Sequence, residues 1–259
     1  MFYKNELGNV YYEVHGPENA PAVVFSHGVA MDHRTFERQV EALKDNFRVI
    51  VWDMPYHGKS SAIDEKLPFS KTAADFIMEI LDTLNIQKAV MAGLSLGSLV
   101  AQQAAYKYPD RVAAAIHISG GPLYPKYPGL FRIFKPFMGL MKLYPTAMLN
   151  KAFAKHKTIT EDTRAYLMET MSRTGKDTVI HLTKEMLQDM VDGLREQPKQ
   201  PALIVYGDHD LAIIKNMSIK WHANQPGSKL QMVKNAHHIA NQDNPEEINR
   251  ILVNFLESI

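Results

Sequence analysis

Short apolar runs alternate with amphipathic stretches through the first 120 residues. Residues 9–14 (NVYYEV), 22–26 (AVVFS), 47–52 (FRVIVW), 88–92 (KAVMA) and 112–118 (VAAAIHI) are short and rich in apolar residues, and read as strands. Residues 35–43 carry Phe36, Val40 and Leu43 at helical spacing. Residues 70–84 do the same with Ala73, Phe76, Ile77, Ile80, Leu81 and Leu84, and Ser70 stands where an N-cap would. Residues 96–106 form an Ala-rich helical stretch. Continuous apolar strands separated by helices predict an α/β fold with a mostly parallel sheet covered on both faces. Chemistry on such sheets gathers at the carboxyl ends of the strands. That rule draws attention to His27, Asp53, Ser95, Ser119 and the residues after the later strands.

The rhythm breaks at Gly121. From there to residue 200 the chain shows helical patterns, no clear strand, and prolines at 122, 125, 128, 136 and 145. It resumes at 202–206 (ALIVY), followed by Gly207-Asp208-His209-Asp210, and at 229–233 (KLQMV), followed by His237-His238. A last helix is expected from about Pro245 to Leu256, with Ile248, Ile251, Leu252 and Phe255 on one face. Residues 1–120 and 201–259 therefore read as one α/β core, and residues 121–200 as a helical cap inserted into it.

Composition narrows the chemistry by exclusion. The chain has 259 residues and no cysteine, which removes disulfides, thiol catalysis and thiolate metal sites. With 29 Lys+Arg against 28 Asp+Glu, the net charge of +1 offers no global attraction for nucleic acid. No basic segment followed by an apolar one opens the sequence, and no apolar run approaches the roughly 20 residues that span a bilayer. A reducing, cytoplasmic compartment without membrane insertion is the expectation.

The sharpest local signal is Gly93-Leu94-Ser95-Leu96-Gly97, where a strand meets a helix. A Gly-x-Ser-x-Gly in that setting is a nucleophile elbow: small flanking residues let strand and helix pack closely, and the hydroxyl projects at the helix N-terminus, where amides favour a developing anion. Serine needs a base to take its proton, and the base needs an orienting carboxylate. His238 follows the last strand, with His237 as its rival. Asp208 and Asp210 both follow the strand at 202–206. Asp53 is accounted for as a turn residue, and His15, His33, His117, His156, His181 and His222 read as surface loop histidines.

The chain order Ser, Asp, His is the one found in α/β-hydrolases. The sequence resembles that family, in its esterase, lactonase and C–C hydrolase branch. His27-Gly28, Asp53-Met54-Pro55-Tyr56-His57-Gly58-Lys59-Ser60, Gly93-Leu94-Ser95-Leu96-Gly97, Gly207-Asp208-His209-Asp210 and Asn235-Ala236-His237-His238 carry the likeness. The family's acid motif implies Asp210 rather than Asp208. Its histidine motif implies His238 as base, with His237 where glycine is common. Ser98 replaces a frequent second glycine after the elbow. The resemblance further implies an oxyanion hole from the Val29 and Leu96 backbone N–H groups.

These residues imply a serine hydrolase of carboxylic esters, with Ser95, His238 and Asp210 as catalytic triad and Gly93 and Gly97 framing the elbow. A lactonase resembling enol-lactonases, a C–C hydrolase, an acyltransferase or perhydrolase, and a non-catalytic ligand receptor are the alternatives on the same fold. No Gly-x-Gly-x-x-Gly, phosphate loop or metal-ligand spacing occurs, so no cofactor and no metal are expected. The expected partner is a small ester or lactone with an apolar acyl or aryl group. Residues 121–160 hold seven Lys or Arg and no Asp or Glu, interleaved with Phe131, Phe134, Phe137, Met138, Leu140, Met141, Leu143 and Tyr144. The favoured reading is an apolar roof over the site with wet Lys heads. The competing one is a surface for anionic acyl substrates or lipid headgroups.

Overall fold

The computed structural model describes residues 1–127, 129 and 141–259. Eight strands form one sheet in the order β1-β2-β4-β3-β5-β6-β7-β8. Strands β3 (Ala22–Ser26), β4 (Arg48–Trp52), β5 (Ala89–Leu94), β6 (Val112–Ile118), β7 (Ala202–Gly207) and β8 (Ser228–Val233) are mutually parallel. At one edge β2 (Gly8–His15) runs antiparallel to β4, and β1 (Phe2–Asn5) antiparallel to β2. Each run read as a strand is one, within a residue or two at its ends. Strand β1 has no counterpart in the sequence reading. Its side chains alternate between exposed and half-buried, so it leaves no apolar signature and exists through its ladder to β2.

The strands alternate their side chains between two cores. Val24, Ile50, Trp52 and Met91 pack with helices α2 (Phe69–Thr83) and α3 (Leu96–Lys107) on one face. Val23, Phe25, Val49, Val51, Val90 and Ala92 pack on the other with α1 (Glu37–Leu43) and with Ile248, Ile251, Leu252 and Phe255 of the C-terminal helix Pro245–Leu256. With both faces covered, the strands lose the in–out polarity of a half-buried sheet and become continuous apolar runs. The parallel register sets the ends of β3, β5, β6, β7 and β8 along one edge, where the polar loops collect.

Between β6 and β7 the described residues form α4 (Thr146–Lys155), α5 (Glu161–Thr174) and α6 (Lys176–Asp192). These helices are tied to the sheet's carboxyl edge. Tyr166 Oη accepts the Asp32 amide at 3.0 Å, Arg34 bridges to Glu169 at 3.0 Å, and the Leu194 amide donates to Leu123 O at 2.9 Å. Phe131, Phe134, Phe137, Met138 and Leu140 of the expected roof lie outside the described residues, and Leu143 and Tyr144 stand exposed. After β7 come α7 (Ala212–Asn224), the four-residue α8 (Ala240–Asp243), and Pro245–Leu256 as α9; of these only α9 is expected from the sequence pattern.

Ser70 does not cap its helix. The N-cap position is Pro68, and the Ser70 hydroxyl instead donates to the buried Asp189 of α6. Burial pushes the Asp189 carboxyl up to about 6, with the Ser70 bond opposing only part of that push. A pKa raised above the ordinary 3.8 gives stability that is complete below the ordinary value and is lost as pH rises through about 6. Asp189→Asn is therefore expected to gain on the wild type, by about 2–3 kcal/mol, between pH 4 and pH 8 in denaturant titrations. Parallel stability curves for the two proteins would contradict a neutral Asp189.

Candidate active site

Ser95 joins the end of β5 to the start of α3 with φ 54° and ψ −111°. A non-glycine residue at positive φ is strained and persists only where its surroundings hold it. The flanking glycines supply the hold. A Cβ on Gly93 would lie 2.0 Å from Gly97 O, and one on Gly97 would lie 2.0 Å from Ser26 O. The backbones of β3, β5 and α3 thus meet where no side chain fits. The Ser95 amide donates to Ile118 O at 2.9 Å, tying the bend to β6.

Ser98 is buried one turn into α3, its hydroxyl 3.1 Å from His117 Nδ1. A Cβ on Gly120 would meet that hydroxyl at 2.2 Å, so the larger residue at 98 fits because a glycine faces it. His117 is not a surface residue. It belongs to an interior strand covered on both faces, stacks on Trp221 with ring centres 4.6 Å apart, and burial pushes its pKa down to about 3. His33 is likewise not a free loop residue. Its Nδ1 donates to Asp53 Oδ1 at 2.7 Å and only 11% of its side chain is exposed.

Ser95, His238 and Asp210 come together across three strand ends. His238 Nε2 lies 3.0 Å from Ser95 Oγ, and Nδ1 lies 3.2 Å from each Asp210 oxygen. Both side chains of the His–Asp pair are almost fully buried. A donating Nδ1–H leaves Nε2 free to accept the serine proton. Burial alone would raise the Asp210 carboxyl, but His238, Lys157 and the Leu211 amide hold it below the ordinary carboxylate range. Burial, reinforced by the Lys157 charge, lowers His238 against the pull of Asp210.

The two rival residues have other duties. Asp208 accepts the Ala236 amide at 3.1 Å and His209 Nδ1 at 2.7 Å, bracing the loop that carries His238. His237 Nδ1 accepts the His238 amide at 2.8 Å, and the His237 amide donates to Asp243. A Cβ on Gly207 would meet Ala236 O at 2.3 Å, so the β7 and β8 loops approach as closely as the elbow does.

The loop after β3 lies against the serine: a Cβ on Gly28 would be 3.4 Å from Ser95 Cβ. Two buried histidines, His27 and His57, fix this loop. His27 Nδ1–H donates to Gly28 O at 2.8 Å and its Nε2 accepts the Met54 amide at 3.0 Å. His57 Nδ1–H donates to Pro55 O at 2.9 Å and its Nε2 accepts the Ala30 amide at 3.1 Å. Burial pushes His57 down to about 3 and lowers His27, so both rings stay neutral and keep an acceptor nitrogen. The two rings thereby fix the loop of residues 28–30, whose Gly28 lies against Ser95. The Leu96 amide, first in α3, is one of the orphan donors of a helix N-terminus.

Asp32, His33 and Asp53 cluster closely enough to hold a cation, but their ligand atoms are engaged. Asp53 takes the His33 amide, His33 Nδ1 and the Lys59 amide, and Asp32 takes Arg34 at 2.7 Å. Asp53 is thus a turn-bracing residue. A cavity of about 100 Å³ opens beside Ser95 and His238, walled by Leu99, Met186, Met190 and Met217.

Comparison with known proteins bears on the family and the fold. A family model described as the alpha/beta hydrolase fold matches residues 21–245. A 3-oxoadipate enol-lactonase of Acinetobacter baylyi is 42% identical over 89 residues, a match covering 34% of this chain and 33% of that protein. A 2-hydroxy-6-oxononadienedioate/2-hydroxy-6-oxononatrienedioate hydrolase of Burkholderia vietnamiensis is 29% identical over 95% of this chain and 90% of its own. Among solved structures, an enol-lactonase from Burkholderia xenovorans LB400 superposes with a TM-score of 0.76 at 22% identity, covering 99% of this chain and all of that one.

The elbow geometry carries a direct consequence. Gly97→Ala forces its methyl group into Ser26 O and must push β3 away from α3, which costs about 1–3 kcal/mol or more. It also moves the 27–30 loop away from Ser95. The expected outcome is a lower melting temperature together with a large loss of reactivity at Ser95. Unchanged values of both would mean that the close approach is not required.

Proposed function

The chain belongs to the alpha/beta hydrolase fold family, and we propose that it is a serine hydrolase of carboxylic esters that works through an acyl-enzyme. The observation that carries this reading is the continuous chain from Ser95 Oγ to His238 Nε2 at 3.0 Å and from Nδ1 to Asp210 at 3.2 Å. Ser95 attacks the ester carbonyl as His238 removes its proton. The tetrahedral oxyanion takes the Val29 and Leu96 N–H groups, donors that need no reorganisation as charge develops. His238 then protonates the leaving alcohol, and Asp210 stabilises the imidazolium and holds its orientation. Water repeats the cycle on the acyl-enzyme, releasing a carboxylic acid and restoring Ser95. The scheme calls on no cofactor and no metal.

Residues 121–200 are proposed to act as a cap over this site, with α6 supplying Met186 and Met190 to the pocket wall. The pocket's apolar lining suits a small acyl or aryl group. A lactone is the second reading, favoured by the 42% identity to a protein described as an enol-lactonase. Ring opening uses the same steps, with the leaving alcohol tethered. No helix among the described residues is long and apolar enough to cross a membrane, and the cytoplasm is the proposed compartment.

Ser95→Ala is expected to cut turnover of a para-nitrophenyl ester by about ten-thousandfold while the fold persists. Retention of more than a few per cent of wild-type activity would exclude the mechanism. Asp210→Asn is expected to be far more damaging than Asp208→Asn, and His238→Ala far more than His237→Ala; a reversed order in either pair would move the role by a residue or two.

The pH profile follows from the buried imidazole. His238 must be neutral to act as base, and its pKa lies below the ordinary 6.5. Activity is expected to fall as pH drops through a midpoint under 6.5, measured as kcat/KM of the free enzyme. A midpoint above 7 would contradict the burial of the pair.

A further inference from the structure

Among the residues that line the cavity beside Ser95, two with polar side chains are left unused by the triad: Lys157 and Ser119. Lys157 lies just past α4 and is not a loose surface side chain. Its carbonyl accepts the Ile239 amide at 3.1 Å, one residue beyond His238. The next residues are pinned as well. The Thr158 hydroxyl and the Ile159 and Thr160 amides all converge on the Asp243 carboxylate. The base of the lysine is thus anchored to the loop that carries His238.

No carboxylate among the described residues pairs with this ammonium within 4.0 Å. The acidic group that acts on it is Asp210, whose oxygens already receive His238 Nδ1 and the Leu211 amide. The Phe153 ring lies 5.5 Å from the ammonium. Ser119 is 1% exposed, its backbone stands at φ 49°, and its hydroxyl has no hydrogen-bond partner among the described residues. A cation facing an apolar cavity and a hydroxyl with no partner both cost free energy unless something completes them. Among the described residues none supplies the completing group.

Building on the esterase reading, we propose that Lys157, assisted by Ser119 in the same wall, receives a carboxylate on the acyl chain of the substrate. The enzyme's substrates are then monoanionic: half-esters of short dicarboxylic acids, or lactones bearing a carboxylate. The acyl side is assigned because the acyl chain stays bonded to Ser95 through both halves of the cycle, whereas the alcohol departs after the first. A receptor beside Ser95 then orients the carbonyl in both steps. The apolar wall accommodates the methylenes between the carbonyl and the carboxylate.

The test compares the mono-para-nitrophenyl ester of glutaric acid with para-nitrophenyl pentanoate, a near-isosteric neutral ester. Wild type is expected to favour the half-ester in kcat/KM. Lys157→Met is expected to lower the half-ester to neutral-ester ratio about tenfold or more, chiefly through KM for the half-ester. Lys157→Arg should keep part of the ratio, and Lys157→Glu should invert it. A wild-type preference for the neutral ester, or a ratio untouched by Lys157→Met, overturns the proposal. Calorimetry with glutarate on the Ser95→Ala background gives a readout independent of turnover. Binding that Lys157→Met weakens supports the subsite even if neither ester is hydrolysed, a failure that would fall on the esterase reading alone. Absence of glutarate binding, or binding indifferent to Lys157, overturns the subsite whatever the esterase result.

Discussion

Where β5 turns into α3, the backbone passes so close to its neighbours that neither Gly93 nor Gly97 has room for a methyl group. The residue between them is forced to positive φ, and Ser95 is therefore presented at the tip of a bend rather than along a strand. The same economy recurs around the sheet's carboxyl edge. Ala30, Ser119 and Asn235 also stand at positive φ, each in a loop that follows a strand and borders the site. Strain of about 1–3 kcal/mol at each such residue persists because two buried cores hold the strands on either face.

Electrostatics divides the buried histidines into two kinds. His27, His57 and His117 lack a directly bound carboxylate partner, and burial lowers all three. They serve as neutral rods: the first two link the Gly28–Ala30 loop to the loop after β4, and the third braces Ser98. His238 is buried too, but an adjacent carboxylate opposes its neutralisation. That balance lets it accept a proton and return it, whereas the others hold fixed tautomers.

Much of this was legible in the sequence. The strands announced themselves as unbroken apolar runs because both faces of the sheet are covered, and Gly93-Leu94-Ser95-Leu96-Gly97 named the bend through its glycines. Residue identity could not choose between Asp208 and Asp210, or between His237 and His238. Each pair sits in one loop, and only the direction of the side chains separates them. Family resemblance pointed to Asp210 and His238, and in the structure His238 lies between Asp210 and Ser95. The work of His27 and His57 left no trace in the pattern, since their partners are backbone amides. Lys157 was one basic residue in a basic stretch, and its facing into the cavity depends on the anchoring of its carbonyl to Ile239. Ser70 looked like a helix cap because its spacing fits one; a carboxylate on a distant helix claims it instead.

The central claim is that Ser95 is chemically activated by His238. Reaction with a fluorophosphonate, followed by peptide mapping and intact mass, tests it most directly. A single adduct on Ser95, formed rapidly in the wild type and slowed at least about a hundredfold by His238→Ala, is the result this account requires. A folded protein that stays unlabelled, or labels as fast without His238, would contradict it.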